Sequence, residues 1–503
     1  MTGSRSVLSA PAGDALRCWP AQPLCSSSRG GDTLLEFDLD GDGRADYIQR
    51  VRGGFKDELH FLDPTGARPT DIVTRSTASP PEDPLLVLLL DGVTYERMHA
   101  LYARGLFRLF RPPARLISVF PTLTDPAYDV LFGSGPTPGY EAGYYDRQRN
   151  RVQRALWSYV HGANERWVRS CDFRLGFFED AIMYLFPRWV YGRELRRAAA
   201  RLTACLQRGR RQVALYILST DGLGHMLELD ALEAHLAWLD RWLERAVYDN
   251  RGRLDVVMLA DHGMSALPPS EGTIRSFDLP GALTGAGLRV RSRLTRSGDV
   301  VIPRFGLLDV ARMHAFDRST CERIINALAT RDEVELLAAR AADSVRVVTP
   351  TGTADIHHRI AAGGQETYTY QPRTGDPLEL AGACDALARA GQLDGAGFAS
   401  ARAWLDATGE AAFPAAVPRL WDGFFQQSRE QPDVILSLKP QWFVGSGLLS
   451  RFVRLHGTHG GLHRRVSETF VMTTRATPPS PLTLPEVRAW LRQEYGWPAA
   501  SEA

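Results

Sequence analysis

The sequence predicts an α/β protein with a doubly wound, mostly parallel central sheet, a small N-terminal β element and an inserted cap region. Three observations carry this. Short aliphatic runs, LLVLLL (85–90), VALYILS (213–219), VVMLA (256–260), VILSL (434–438) and TFVMTT (469–474), have the character of strands covered on both faces. Between the second and third run, Leu232, Leu236, Leu239 and Leu243 recur at helical spacing, which makes strand, helix, strand a βαβ crossover. Three of the runs break off into turns that carry aspartate or histidine, and in open parallel sheets ligands bind beyond the carboxyl ends of the strands.

The elements follow in order. Residues 1–30, rich in Ser, Gly, Pro and Ala, are expected to form a loose tail. Residues 31–80 read as a small β-hairpin module. Its DLDGDGRAD loop sets Asp38, Asp40, Asp42 and Asp46 at positions 1, 3, 5 and 9 of a calcium-loop pattern, with Gly43 at the sixth and Gln49 where a bidentate Glu is usual. A structural Ca²⁺ site and a metal-free Asp-Gly turn are both open at this point. After the Pro-rich STASPPEDP comes a first part of the core (81–265), then a cap or insertion (266–430) punctuated by Gly and Pro, then a second part (431–503) ending in a helix.

At 503 residues the chain exceeds the ~250–300 at which single cores stop growing, so more than one structural unit is expected. With 59 basic and 58 acidic residues there is no net field toward nucleic acid or an anionic membrane, and any anion site must be local. The six cysteines show no CxxC spacing. No run approaches the ~20 apolar residues of a membrane span, and the N-terminus lacks the apolar stretch of a secretory signal, so the chain reads as soluble, of unassigned compartment. Oligomeric state is not legible.

The chemistry lies in the turns. LLVLLL runs into Asp91-Gly92, VALYILST into Asp221-Gly-Leu-Gly-His225, and VVMLA into Asp261-His262-Gly263-Met264. Singly, an Asp after a strand is more often a helix cap, and Asp221 with His225 is equally an i,i+4 ion pair. Together they form a set of carboxylates and imidazoles that could converge. Leu455-His456-Gly457-Thr458-His459-Gly460-Gly461 adds a glycine-rich loop with the neutral nitrogen donors that zinc favours.

These segments with Phe120-Pro121-Thr122-Leu123-Thr124-Asp125-Pro126, in the order DG, FPTLTDP, DGLGH, ADHGM, GTHGG, resemble the alkaline phosphatase superfamily, and most closely its type I phosphodiesterase or nucleotide pyrophosphatase branch. The resemblance covers about residues 85–146, 213–265 and 433–475. It implies an alkaline phosphatase-like core with two Zn²⁺ ions, or Mn²⁺ in their place. Asp221, His225 and His459 match the ligands of one ion, and Asp91, Asp261 and His262 those of the other. Thr124 matches the nucleophile, itself a metal ligand, with Thr122 the weaker alternative.

The implied activity is hydrolysis of a phosphodiester or pyrophosphate in a small phosphate-ester substrate, through a phospho-threonine intermediate. A threonine hydroxyl is a poor nucleophile near neutral pH unless a metal favours its alkoxide. The charges of two divalent ions are balanced by Asp91, Asp221, Asp261 and a Thr124 alkoxide, which suits a diester monoanion better than a monoester dianion. Two features depart from the branch. Asp125 follows the nucleophile where an apolar residue is common, and 139–144 (GYEAGY) lacks its phosphate-binding Asn, for which a tyrosine is the candidate substitute. Arg147, Arg149 and Arg151 are candidate extra cations, and His357, His358 and Tyr368 candidate pocket residues. The alternatives are a phosphomonoesterase or phosphonate hydrolase on the same two-metal site, or an inactive metal-binding interaction protein.

Overall fold

Every residue of the strands Leu85–Leu90 and Asp255–Ala260 is buried, as the apolar runs 85–90 and 256–260 require, and Asp255 is paired with Arg475. Leu85–Leu90 pairs in parallel with Gln212–Ile217 on one side and with Asp255–Ala260 on the other. Beyond Asp255–Ala260 the six-stranded sheet continues through Glu468–Thr473, Ala114–Ile117 and Leu482–Thr483. Five strands share one direction, and Glu468–Thr473 opposes them. The computed structural model describes residues 22–75, 83–153, 166–266, 274–445 and 455–498, apart from 142, 177, 178, 180, 181, 228 and 304–306. No helix among the described residues is long and apolar enough to cross a membrane.

Alternation along the strands divides the core into two layers. Leu86, Leu88, Leu90, Val213, Leu215 and Ile217 pack with Leu232, Leu236, Leu239 and Leu243 of the helix Leu229–Asp249, and with Leu195 and Leu202 of the helix Pro187–Gln207. Leu85, Val87 and Leu89 pack on the opposite face. Their partners are Ala127, Tyr128 and Leu131 of the helix Thr124–Phe132 and Leu484, Val487 and Leu491 of the C-terminal helix Leu484–Tyr495. Thr483 and Glu486 form a capping box that starts the C-terminal helix.

The N-terminal region differs from the loose tail and hairpin expected of residues 1–80. Cys25–Arg29, Asp32–Phe37, Tyr47–Arg52, Phe55–Leu62 and Pro69–Thr74 form a five-stranded antiparallel sheet. Cys25–Arg29 lies inside the stretch expected to be loose. Its sequence, CSSSR, has no apolar alternation, and it is ordered by ladder bonds to its neighbour rather than by burial; residues 1–21 lie outside the described part. The sheet is docked by Phe37, Tyr47, Leu59 and Phe61, which join the main core, with Tyr47 edge-on to Tyr248 at 5.1 Å. The buried pair Lys56–Glu244, to which Gln49 Nε2 adds a 2.6 Å bond, fixes it to the Leu229–Asp249 helix.

The insertion is built on a nine-stranded sheet that runs from Arg289–Val290 to Ala399–Ser400, with Val434–Leu438 in its interior. Val434–Leu438 had been expected in the central sheet and is reassigned: it pairs antiparallel with Val310–Ala315 and Val334–Arg340. The cause is physical, since a short aliphatic strand covered on both faces reads alike in any sheet. Here Ile435 faces Val417, Leu420 and Phe424, and Val434 and Leu436 face Ile324 and Leu328. The inserted unit therefore extends past residue 430.

Candidate metal centre

Parallel register sets the site's geometry. Leu90 lies opposite both Ile217 and Ala260, so the three strands end level and Asp91, Asp261 and the start of the helix Ser219–Met226 meet at one edge. The buried Glu194 accepts the Leu218 and Ser219 N–H groups at 3.0 Å each and anchors that helix, on which Asp221 and His225 stand one turn apart. The 457–461 loop arrives by pairing Gly457–Thr458 with Ser265–Ala266, directly after Asp261-His262-Gly263-Met264. Only glycine fits at 457, because a Cβ there would stand 2.5 Å from Met264 Sδ and 2.7 Å from the Gly224 carbonyl oxygen.

Two groups of possible metal ligands result: Asp221, His225 and His459, and Asp91, Asp261 and His262. All six residues are buried, and within each group the ligand atoms lie within 4.8 Å of one another. The groups are neighbours, since the His262 and His459 rings stack with centroids 3.9 Å apart.

Each imidazole has its Nδ1 against a backbone carbonyl: His225 on Gly457 (2.8 Å), His262 on Gly263 (2.8 Å) and His459 on Thr122 (3.1 Å). Nδ1 is thus the donor, and Nε2 presents a lone pair. Those lone pairs face carboxylates. His225 Nε2 is 3.2 Å and His459 Nε2 3.6 Å from Asp221 Oδ1, and His262 Nε2 is 3.4 Å from both Asp91 Oδ1 and Asp261 Oδ2. Asp221 Oδ1 and Asp261 Oδ2 are buried and accept no hydrogen bond among the described residues. Lone pairs turned on one another in a dry interior repel unless a cation lies between them. Burial, then the adjacent His262, holds His459 well below the ordinary imidazole range, so a proton on that ring is a poor candidate for the cation, whereas Asp221, against the effect of burial, raises His225. Burial likewise raises the Asp261 carboxyl above its usual range. The donor set of nitrogen and carboxylate oxygen fits divalent ions of the zinc kind.

Thr124 opens the helix Thr124–Phe132, and its Oγ1 lies 3.4 Å from Asp91 Oδ2 and 3.5 Å from His262 Nε2. Tyr128, one turn on, donates to the Leu90 carbonyl (2.6 Å) and pins the helix to the strand that delivers Asp91. Thr122, the other threonine of the motif, is committed elsewhere. Its hydroxyl lies 2.6 Å from the Gly461 carbonyl oxygen and its N–H donates to the Gly460 carbonyl (2.8 Å). Asp125 is turned from the site, accepting the Trp167 indole N–H at 3.0 Å.

Other expected residues are not brought in. Arg147 pairs with Asp433 and Arg149 with Asp146. His358 stacks on Trp421 and Tyr368 is buried in the inserted sheet, its hydroxyl on Glu366 and Asp422, while His357 lies opposite Ser344. Tyr140 donates to the Gly423 carbonyl. Three contributors had no local signal. Tyr184 donates to Asp221 Oδ2 (3.2 Å), Tyr216 donates to Asp91 Oδ2, and Asp309 of the inserted unit accepts the Gly461 N–H (2.6 Å) and donates its own N–H to the His459 carbonyl (3.0 Å). In the N-terminal loop Asp38, Asp40 and Asp42 lie together, and Asp46 is instead drawn to the Leu39 N–H at 2.7 Å.

No family model matches the chain, and no curated protein matches it in sequence. Solved structures are. The phosphonoacetate hydrolase of Sinorhizobium meliloti 1021, in complex with phosphonoformate, is 14% identical with a TM-score of 0.46, over 83% of this chain and 97% of that one. Human ectonucleotide pyrophosphatase/phosphodiesterase 5 is 12% identical with a TM-score of 0.44, over 82% and 95%; the murine protein is 11% identical, with the same score and coverage.

Proposed function

We propose that this protein is a metal-dependent phosphohydrolase that cleaves a phosphodiester or pyrophosphate through a phospho-threonine at Thr124. The observation that supports it most is the convergence of three Nε2 lone pairs and three buried aspartates with the Thr124 hydroxyl, which stands 3.4–3.5 Å from donor atoms of one group. Asp91, Asp261, His262 and Thr124 would hold one zinc ion and Asp221, His225 and His459 the other, with manganese as the alternative metal. Bound there, the ions supply Lewis acidity that favours the alkoxide of a hydroxyl and stabilises charge on a departing oxygen.

The protein's own part is then simple. Thr124 Oγ1 attacks phosphorus, the Oγ1–P bond forms as the bond to the leaving oxygen breaks, and the alcohol or phosphate leaves with the hydroxyl's proton. Water then cleaves the Oγ1–P bond and restores Thr124. The bond that Asp125 accepts from the Trp167 indole N–H holds its carboxylate away from the site. Tyr184 and Tyr216 orient the carboxylates they touch. Calcium at Asp38, Asp40 and Asp42 is proposed as a structural ion only.

Metal analysis with a substrate panel tests the reading. About two zinc ions per chain are expected, with turnover of bis-p-nitrophenyl phosphate faster than that of p-nitrophenyl phosphate. Equal activity in metal-stripped protein would overturn the metal role, and preference for the monoester or for a phosphonate would move the substrate class while leaving the site intact.

A further inference from the structure

The helix Pro187–Gln207 begins on a run of side chains that the interior does not take up. Leu185, Phe186 and Trp189 are 68%, 61% and 54% exposed, three of the seven large apolar side chains left in solvent among the described residues. Phe186 is the N-cap residue, Trp189 stands three positions on within the first turn, and Leu185 directly precedes them, so the three are neighbours. Exposed apolar residues scattered singly call for no explanation, but three within five residues form a patch. The residues before it fix its place. Met183 is fully buried and closes on the helix that carries Asp221, where a Cβ at Gly222 would stand 2.4 Å from Met183 Cγ. Tyr184 donates to Asp221, and its ring centre lies 5.9 Å from that of His225. The exposed run therefore starts one residue from a side chain that touches the metal-ligand group.

The same helix is cationic. From residue 185 to 201 the chain carries five arginines, Arg188, Arg193, Arg196, Arg197 and Arg201, against one acid, Glu194. That acid is buried and spent on the Leu218 and Ser219 N–H groups. Trp189, Arg193, Arg196 and Arg197 recur at i, i+4, i+7 and i+8, which puts three of the charges on the face of the indole. Glu179 accepts Arg193 and Arg197 together, at 3.4 and 2.5 Å, whereas Arg188 and Arg196 have no acidic partner among the described residues.

We propose that this face docks on an anionic lipid surface, with Leu185, Phe186 and Trp189 entering at the headgroup level and the arginines on lipid phosphates. With 59 basic and 58 acidic residues the chain as a whole supplies no such attraction, so the field that draws it is local. Tryptophan, phenylalanine and leucine beside arginines form the composition of an interfacial anchor. A stable protein partner is disfavoured by size, since the three side chains expose on the order of 400 Å², about half of the ~800 Å² per partner of a standard interface. Docking of this kind is peripheral and independent of the metal ions and of the reaction proposed above.

Co-sedimentation of the full-length protein with vesicles of phosphatidylcholine, alone or mixed with phosphatidylglycerol, tests the assignment. Partition onto the mixed vesicles should exceed that onto phosphatidylcholine at least about tenfold, and should fall steeply between about 0.1 M and about 0.5 M salt. The triple variant Leu185→Ser/Phe186→Ser/Trp189→Ser should lose about tenfold or more in partition while melting like wild type, because it changes exposed side chains and places a good capping residue at 186. Arg188→Glu/Arg196→Glu leaves the apolar side chains in place and should weaken binding to the mixed vesicles about tenfold, which keeps the test decisive if the triple variant melts early. No binding of wild type to the mixed vesicles would overturn the proposal, as would equal partition onto phosphatidylcholine or undiminished binding by both variants. A wild-type dimer in light scattering that the triple variant dissolves would reassign the face to a second copy of the chain.

Discussion

The protein holds two kinds of carboxylate cluster, and they differ in what the backbone has already done for them. In the exposed N-terminal loop, Asp38 accepts the Gly41 (2.6 Å) and Gly43 (2.8 Å) N–H groups, Asp40 that of Asp42 (3.0 Å), and Asp42 that of Arg44 (2.8 Å). These bonds hold Asp38 below the usual carboxylate range without an ion. At the ends of the central strands the acids are buried, face imidazole lone pairs, and keep two oxygens with no donor. A turn can be complete by itself; the buried set leaves oxygens that a bound cation would satisfy.

The contrast can be broken or sharpened in order of expected effect. Thr124→Ala should lower kcat by at least about 10³-fold while both ions stay bound, and near-wild-type phosphoesterase activity in that variant would remove Thr124 from the chemistry. His459→Ala should reduce zinc content by about one ion per chain, and activity with it, by atomic emission and assay of the same sample. Tyr184→Phe deletes only the donor to Asp221 and should cost about tenfold in zinc affinity or activity, the range usual for groups that orient a ligand; an unchanged affinity and rate would make Tyr184 a bystander. The smallest response belongs to the loop. Saturating calcium should raise Tm by less than zinc does for the stripped protein, because carboxylates already bonded to N–H groups gain less from an ion. A calcium shift larger than the zinc shift would reverse the comparison.

Most of the candidate centre was legible because each ligand follows its strand within a few residues. Asp91 and Asp261 come directly after Leu90 and Ala260, and level parallel strands bring them together without further information. Asp221 and His225 needed only a helical turn. What stayed hidden depends on distant partners. Nothing near Tyr184 marks it as Asp221's donor, and Asp309 reaches Gly461 from a sheet whose strands alternate like any other. Arg419 sits in a mostly apolar helix, and its bonds to loops far along the chain explain an arginine there. The fold was readable where strands were long and aliphatic. It was misread at Val434–Leu438, where local pattern does not name the sheet, and at Cys25–Arg29, where order comes from pairing rather than from side chains.

The seam between Thr122 and the 459–461 turn has one more consequence. His459 Nδ1 meets the Thr122 carbonyl across 337 residues of chain, and Thr122's hydroxyl meets the Gly461 carbonyl across 339. During synthesis, residues 120–132 leave the ribosome long before the turn that braces them exists. A nascent or proteolytically shortened chain ending before residue 459 therefore lacks both of these bonds, and the segment that leads into Thr124 is without its brace.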